Sequence, residues 1–224
     1  PISDIDYSSA FPGDINGGLE DYTAAKLLED IKGASCCIDI HSSNIFLQEV
    51  PQVRLNDDYD ETLLHLSKYM NTDLVWIHPS QTVNEGSLAY ALNQMGIPTM
   101  VTESGAAFRI RYEYCRQIID GIFSVMAELG IWKGKTNGKT DVPFINEDKI
   151  CYLNCESSGL FVSYKRLKDH VKKGEIIGII QNPLMGATEE EVIAPVDGIL
   201  MTLREHPSVT EGSLVARVIG GGKL

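Results

Sequence analysis

The hydrophobic grammar of the chain changes once, and that change limits the fold more than any single motif. As far as about residue 130, short apolar runs alternate with stretches whose apolar residues recur at helical spacing. This alternation is the pattern of an α/β sheet. Leu19, Tyr22, Leu27, Leu28 and Ile31 fall at helical spacing, and Gly33 can close that helix. Further helices are expected over Tyr59–Met70, Gly86–Gln94 and from about Arg111 to Leu129. Strands are expected over Ser35–Ile40, Leu74–Ile77 and Ile97–Thr102. From about Ile150 onward the apolar runs are short and the turns between them are marked by Gly or Pro, so this part reads as mostly β. Residues 131–149 mix Gly, Lys, Asn, Asp and Pro and read as a linker. The expected architecture is therefore a mixed sheet flanked by helices over 1–130, a linker over 131–149, and a small all-β barrel or sandwich over 150–224.

The second part carries a weak internal repeat. Gly159 is followed by Val171-Lys172-Lys173-Gly174, and Gly198 by Val209-Thr210-Glu211-Gly212, with Gly-to-Gly separations of 15 and 14 residues. Two similar β units of this kind can each cover the open face of the other. Glu191–Gly198 (EVIAPVDG) resembles the strand and turn of biotinyl and lipoyl carrier domains, which present a modified lysine at a hairpin tip. The expected tip here, Thr188-Glu189-Glu190, has no lysine, so a structural or lid role is expected instead of a carrier role.

Charge and composition exclude several partners. Nineteen Lys and Arg stand against 31 Asp and Glu, a net charge of -12. Neither a nucleic-acid groove nor an anionic membrane surface is expected as partner of such a chain. No run approaches the roughly 18 apolar residues of a membrane span. The chain starts at Pro1 without a basic, then apolar, leader. The five cysteines, Cys36, Cys37, Cys115, Cys151 and Cys155, form no C-x-x-C pair. They read as thiols buried in a core, in a reducing cytoplasm.

Chemistry concentrates at expected strand ends. Asp39-Ile40-His41 closes one apolar strand, and Thr102-Glu103-Ser104-Gly105 closes another. In an open α/β sheet, ligands bind beyond the carboxyl ends of the strands. An imidazole there suits a metal ligand or a general base, and a carboxylate there can handle the protons of a water. A hydrogen-bonded strand cap is the alternative for His41, and a helix cap or exposed acid for Glu103. Parallel strands would put both residues on one edge of the sheet. His78 also follows an apolar strand. Phe108, Tyr112 and Tyr114 are assigned to core packing ahead of a pocket, and His65, His170 and His206 to the surface or to turns.

Phe11-Pro12-Gly13, a helix containing Glu20, Asp39-Ile40-His41-Ser42 after one strand and Thr102-Glu103-Ser104-Gly105 after a later one together resemble the succinylglutamate desuccinylase/aspartoacylase family of zinc carboxypeptidase-like hydrolases. The resemblance runs from Asp4 to the C-terminus. It implies a zinc carboxypeptidase-like α/β fold and one bound Zn2+, with His41 as a metal ligand. It also implies Glu103 as general base and then general acid, with Asp39 supporting His41. The family's H-x-x-E motif, which supplies the other ligands, is absent: none of the five His has Glu three positions later. Those ligands are expected upstream of Pro1, so the α/β part is expected to be N-terminally truncated and its sheet to offer an edge that a second copy could complete. Where the family loop carries Asn-Arg, this chain has Ser8-Ser9. Arg109 and Arg111 are the candidate replacements for that substrate-binding arginine.

The expected function of the complete protein is zinc-dependent hydrolysis of the amide bond of an N-acyl amino acid or similar small N-acyl amine. A non-catalytic relative without the metal, or a zinc carboxypeptidase acting on peptides, are the alternatives.

Overall fold

The computed structural model describes residues 9–79 and 85–221. In chain order the elements are α1 (Leu19–Ile31), β1 (Cys37–Ser42), β2 (Leu47–Asn56), α2 (Glu61–Ser67), β3 (Leu74–His78), α3 (Leu88–Gln94), β4 (Thr99–Gly105) and α4 (Tyr112–Glu128). They continue as β5 (Phe144–Asn146), β6 (Ile150–Asn154), β7 (Gly159–Ser163), β8 (His170–Val171), β9 (Ile176–Gln181), β10 (Thr188–Ile193), β11 (Gly198–Arg204), β12 (Ser208–Val209) and β13 (Leu214–Gly220).

Local chemistry explains the helix ends. The Asp60 carboxylate accepts the Thr62 N–H at the start of α2, and the Ser87 hydroxyl accepts the Tyr90 N–H at the start of α3. Beyond α1, Gly33 takes the positive φ that a side chain would resist. Gly13, in the Phe-Pro-Gly loop, also has positive φ, and a Cβ on it would stand 2.2 Å from the Asp21 carbonyl oxygen. The loop thus packs directly on α1, and Phe11 joins Leu28, Leu92 and Ile97 in a small apolar cluster.

Nine strands form one mixed sheet in the order β1-β4-β2-β11-β13-β6, with β3 paired to β2, β5 to β3 and β8 to β11. Strand β2 is its hub. One edge of β2 pairs with β4. The other is divided between β11 at Leu47–Glu49, antiparallel, and β3 at Gln52–Asn56, parallel. Between these stretches lies Pro51, which has no N–H to give a ladder, and the register with β4 shifts between Glu49 and Gln52. Helices α2 and α4 cover one part of the sheet through Leu63, Leu66, Ile118 and Val125, packed on Val53, Leu55, Val75, Ile77 and Met100.

Several expectations change here. The α/β part is a mixed sheet with helices, as expected, but strand pairing crosses the expected linker. Residues 144–146 form β5 on β3, and Ile145 is buried with Trp76, Met201 and Ile219, side chains from both parts of the chain. No closed barrel is found among the described residues. Instead β10-β9-β7-β12 form a separate four-stranded antiparallel sheet. Its buried Phe161, Ile177, Ile180 and Val192 share one apolar cluster with Leu153, Leu200, Val215 and Val218 of the large sheet. The repeat is expressed as an exchange between units. β8, in the first unit, pairs with β11 at Val171 and Gly198, and β12, in the second, pairs with β7 at Val209 and Gly159. Gly198 is required by packing, since a Cβ there would stand 2.1 Å from the Ile219 carbonyl oxygen.

The hairpin tip resembling the carrier domains lies at 182–187, where the Asn182 side chain accepts the Leu184 and Met185 N–H groups. Thr188–Glu190 are already in β10. The actual tip also lacks lysine. Among the described residues no helix is long and apolar enough to cross a membrane. The cysteines are not uniformly buried: Cys155 is, whereas Cys115 is exposed on α4.

Candidate functional site

Strands β1 and β4 both run past the ends expected from their apolar cores, because they hydrogen-bond to each other as far as Ser42 and Ser104. His41 and Glu103 therefore lie within the strands and face each other in register, in parallel. Both line a cleft of about 510 Å³, together with Arg54, Asp58, Tyr59, His78, Tyr90 and Asn93. This is the edge position expected for the pair.

Asp39 is two residues from His41 on β1, so the pleat brings both to one face. The Asp39 carboxylate Oδ2 lies 3.1 Å from the His41 Nε2. This hydrogen bond raises the imidazole above its ordinary value, against the effect of burial, and the Asp39 charge adds to it. Glu103 is 8% exposed. Burial pushes its carboxyl up, and the nearby Arg54 charge pulls it part of the way back. Arg54 Nη1 lies 2.9 Å from Glu103 Oε2. A cleft-lining carboxyl raised by burial but held by a guanidinium can take a proton from a bound water and return it to a leaving group.

Arg54 is the site residue that sequence reasoning missed, along with its strand. Its side chain spans two carboxylates, with Nη1 on Glu103 and Nη2 2.7 Å from Glu49 Oε2. Glu49, Gln52 and Thr202 are wholly buried. Gln52 Nε2 donates to Glu49 Oε2 at 3.2 Å, while Thr202 Oγ1 at 3.2 Å and Arg217 Nη1 donate to Glu49 Oε1. The register shift at Pro51 lets Glu49 share a face with Gln52 and Arg54, which strict alternation would prevent for residues three and five apart. The guanidiniums of Arg54 and Arg217 both stack on the Trp76 ring, at 5.1 and 5.3 Å.

His78 lines the cleft. Its Nε2 is buried with no hydrogen-bond partner among the described residues, and Nδ1 is 3.8 Å from Glu147 Oε2. Burial, and then the Arg54 charge, hold its imidazole down at about 4, so it is neutral.

The two expected substrate arginines are placed elsewhere. Arg109 Nε is 3.9 Å and Arg111 Nη2 3.6 Å from the Glu205 carboxylate, and Arg111 also donates to Gln48 Oε1 at 2.8 Å. Neither lines the cleft; Arg54 does. Phe108, 88% exposed, and Tyr112 are on the surface rather than in the core. Only Tyr114 of the three aromatic residues is partly buried. Of the loop serines, Ser8 lies outside the described residues.

Among the described residues no group of three or more His, Cys, Asp and Glu side chains is placed to hold a metal ion. His41 offers one imidazole, already hydrogen-bonded to Asp39, and Glu103 is ion-paired. The donor set of this chain alone does not fit a zinc ion, which takes three or four protein ligands.

No family model matches the chain, and no curated protein matches it. Solved structures do. The chain superposes on a succinylglutamate desuccinylase from a Silicibacter species with a TM-score of 0.84 at 23% identity, covering 98% of this chain and 69% of that one. It is similar to the product-bound ectoine utilization protein EutE (DoeB) from Ruegeria pomeroyi, with a TM-score of 0.83, 22% identity and 97% and 68% coverage. A succinylglutamate desuccinylase/aspartoacylase from Rhodobacter sphaeroides gives 0.81 at 21% identity, with 100% and 70% coverage. The structural neighbours are thus succinylglutamate desuccinylase/aspartoacylase family proteins, and the chain spans about two-thirds of their length. At these identities the likeness establishes the fold.

Proposed function

We propose that this chain is part of a deacylase that hydrolyses the amide bond of an N-acyl amino acid or a similar small N-acyl amine. One observation carries the reading: His41 and Glu103 stand in register on adjacent parallel strands at a common cleft. The shared fold with desuccinylase and aspartoacylase structures supports it. Glu103 takes the proton of the attacking water and later hands it to the leaving amine, a task suited to a carboxyl raised by burial. Arg54 fixes the direction of that carboxyl through its 2.9 Å contact. The proposed enzyme is zinc-dependent, with His41 as one ligand, Asp39 supporting it, and the other ligands supplied by sequence outside this chain.

The incomplete donor set favours a second reading, a relative that keeps the fold without metal chemistry. Elemental analysis of the natural-length protein separates the two. The deacylase reading expects about one zinc per chain, lost in His41→Ala, and release of free amine from an N-acyl amino acid panel assayed beside peptides. A folded natural-length protein with neither zinc nor hydrolysis would overturn it. Hydrolysis confined to peptides would replace deacylation with a carboxypeptidase activity.

A further inference from the structure

The mechanism above uses Arg54 and Glu103 but not the buried charges behind them. Glu49 is wholly buried, and both its carboxylate oxygens are engaged: Oε2 by Arg54 and Gln52, Oε1 by Arg217 and Thr202. Arg54 and Glu49 are on β2. Arg217 and Thr202 come from β13 and β11, in the C-terminal half.

We infer that Arg217 is a positioning residue for Glu103, acting through Glu49 and Arg54. The guanidinium of Arg54 is a rigid plane, so the direction in which Nη1 meets Glu103 depends on where Nη2 is anchored. The anchor is Glu49 Oε2, 2.7 Å away. Glu49 is fixed in turn by donors on its other oxygen. Two guanidiniums and two carboxylates balance in this arrangement. Without Arg217, the Glu49 carboxylate keeps only one cationic partner, Arg54, which it draws away from Glu103. Glu49 and Arg217 do not line the 510 Å³ cleft; with Arg54 and Glu103, which do, they line an adjoining cavity of about 250 Å³. The effect on a reaction in the cleft therefore belongs to turnover and not to substrate binding.

The inference rests on the deacylase reading for its kinetic consequence, but not for its geometry, so two measurements are needed. Natural-length protein carrying Arg217→Met, checked for native fold by near-UV circular dichroism, is assayed on the best N-acyl substrate and crystallised. The expected result is a fall in kcat of about 10–100-fold with KM within about twofold, and Arg54 Nη1 out of hydrogen-bond reach of Glu103. Arg217→Lys, which keeps the charge but loses the fork, gives an intermediate kcat. A folded Arg217→Met enzyme with unchanged kcat, a change in KM alone, or an intact Arg54–Glu103 pair overturns the inference. If the methionine variant does not fold, the lysine variant carries both measurements and must show the same direction of change. If the wild-type protein hydrolyses nothing in the panel, the deacylase reading fails, and the crystal structure of the variant decides the positioning claim by itself.

Discussion

The interior between the two sheets and the strip of the large sheet behind Glu103 are built on opposite principles. The first is closed by the apolar side chains of Phe161, Ile177, Ile180, Val192, Val215 and Val218. The second holds Glu49, Gln52 and Thr202 wholly buried beside Arg54, Arg217 and Glu103. Both use the same strands. On β13, Ala216 and Val218 enter the apolar cluster, while Arg217 and Ile219 lie in the alternate positions, with Arg217 on Glu49 and Ile219 beside Trp76. A sheet can thus stabilise the molecule with one face and orient charge with the other. An apolar cluster stabilises through area removed from water, without directional demand. A buried ion network adds little net stability over an apolar one, but breaking it is costly. Retaining such a network next to the cleft is consistent with a role in orientation.

The contrast can be broken at either end. Removing the shared anchor, Glu49→Ala, leaves two partly buried guanidiniums short of a partner. It should lower stability by about 3–5 kcal/mol in urea unfolding and reduce turnover as well. Ile180→Ala in the apolar cluster should cost about 3 kcal/mol by the same measurement and leave kcat unchanged. If Ile180→Ala altered turnover as much as Glu49→Ala did, the separation between the two regions would not hold.

Acid sharpens the comparison, because His78 is held neutral beside the charged strip. Its folded-state value of about 4 lies below the ordinary 6.5. As pH falls from 6.5 toward 4, the unfolded chain takes up a proton that the folded protein refuses. The contribution of His78 to stability is therefore complete above 6.5 and lost through that window, at about 1.4 kcal/mol per pH unit and roughly 3 kcal/mol in all. The stability–pH curve of His78→Asn should be flatter than wild type by that difference between pH 6.5 and 4. Parallel curves would show that the imidazole titrates normally. The smallest effect is expected at Ser87 on the cleft wall, where Ser87→Ala removes the α3 cap and should cost about 1 kcal/mol in thermal unfolding.

Much of this was legible in the sequence, and the gaps share one cause. The helices and the strands around His41, His78 and Glu103 follow from apolar periodicity, and the placing of His41 and Glu103 on one edge of the sheet follows from two such strands lying in parallel; their register is seen only in the structure. Strand β2 was not expected at all. Pro51 interrupts it, and Glu49, Gln52 and Arg54 are polar residues at positions that prove buried. The alternation of Gln52, Arg54 and Asn56 with Val53 and Leu55 was the available signal. Missing the strand meant missing Arg54, so the cation of the cleft was sought at Arg109 and Arg111, which instead face Glu205. The expected boundary at 131–149 failed as a break in pairing for a related reason. The three-residue β5 is too short to show periodicity and is a strand because β3 offers it an edge.

The most direct test of the account is the rate of amine release from an N-acyl amino acid by the natural-length protein and by its Glu103→Gln variant. The account predicts measurable hydrolysis by the wild type, a loss of about 10²–10⁴-fold in kcat in the variant, and an unchanged fold. Equal rates for the two proteins would contradict it, because the Glu103 carboxyl lining the cleft would then carry no proton in the reaction.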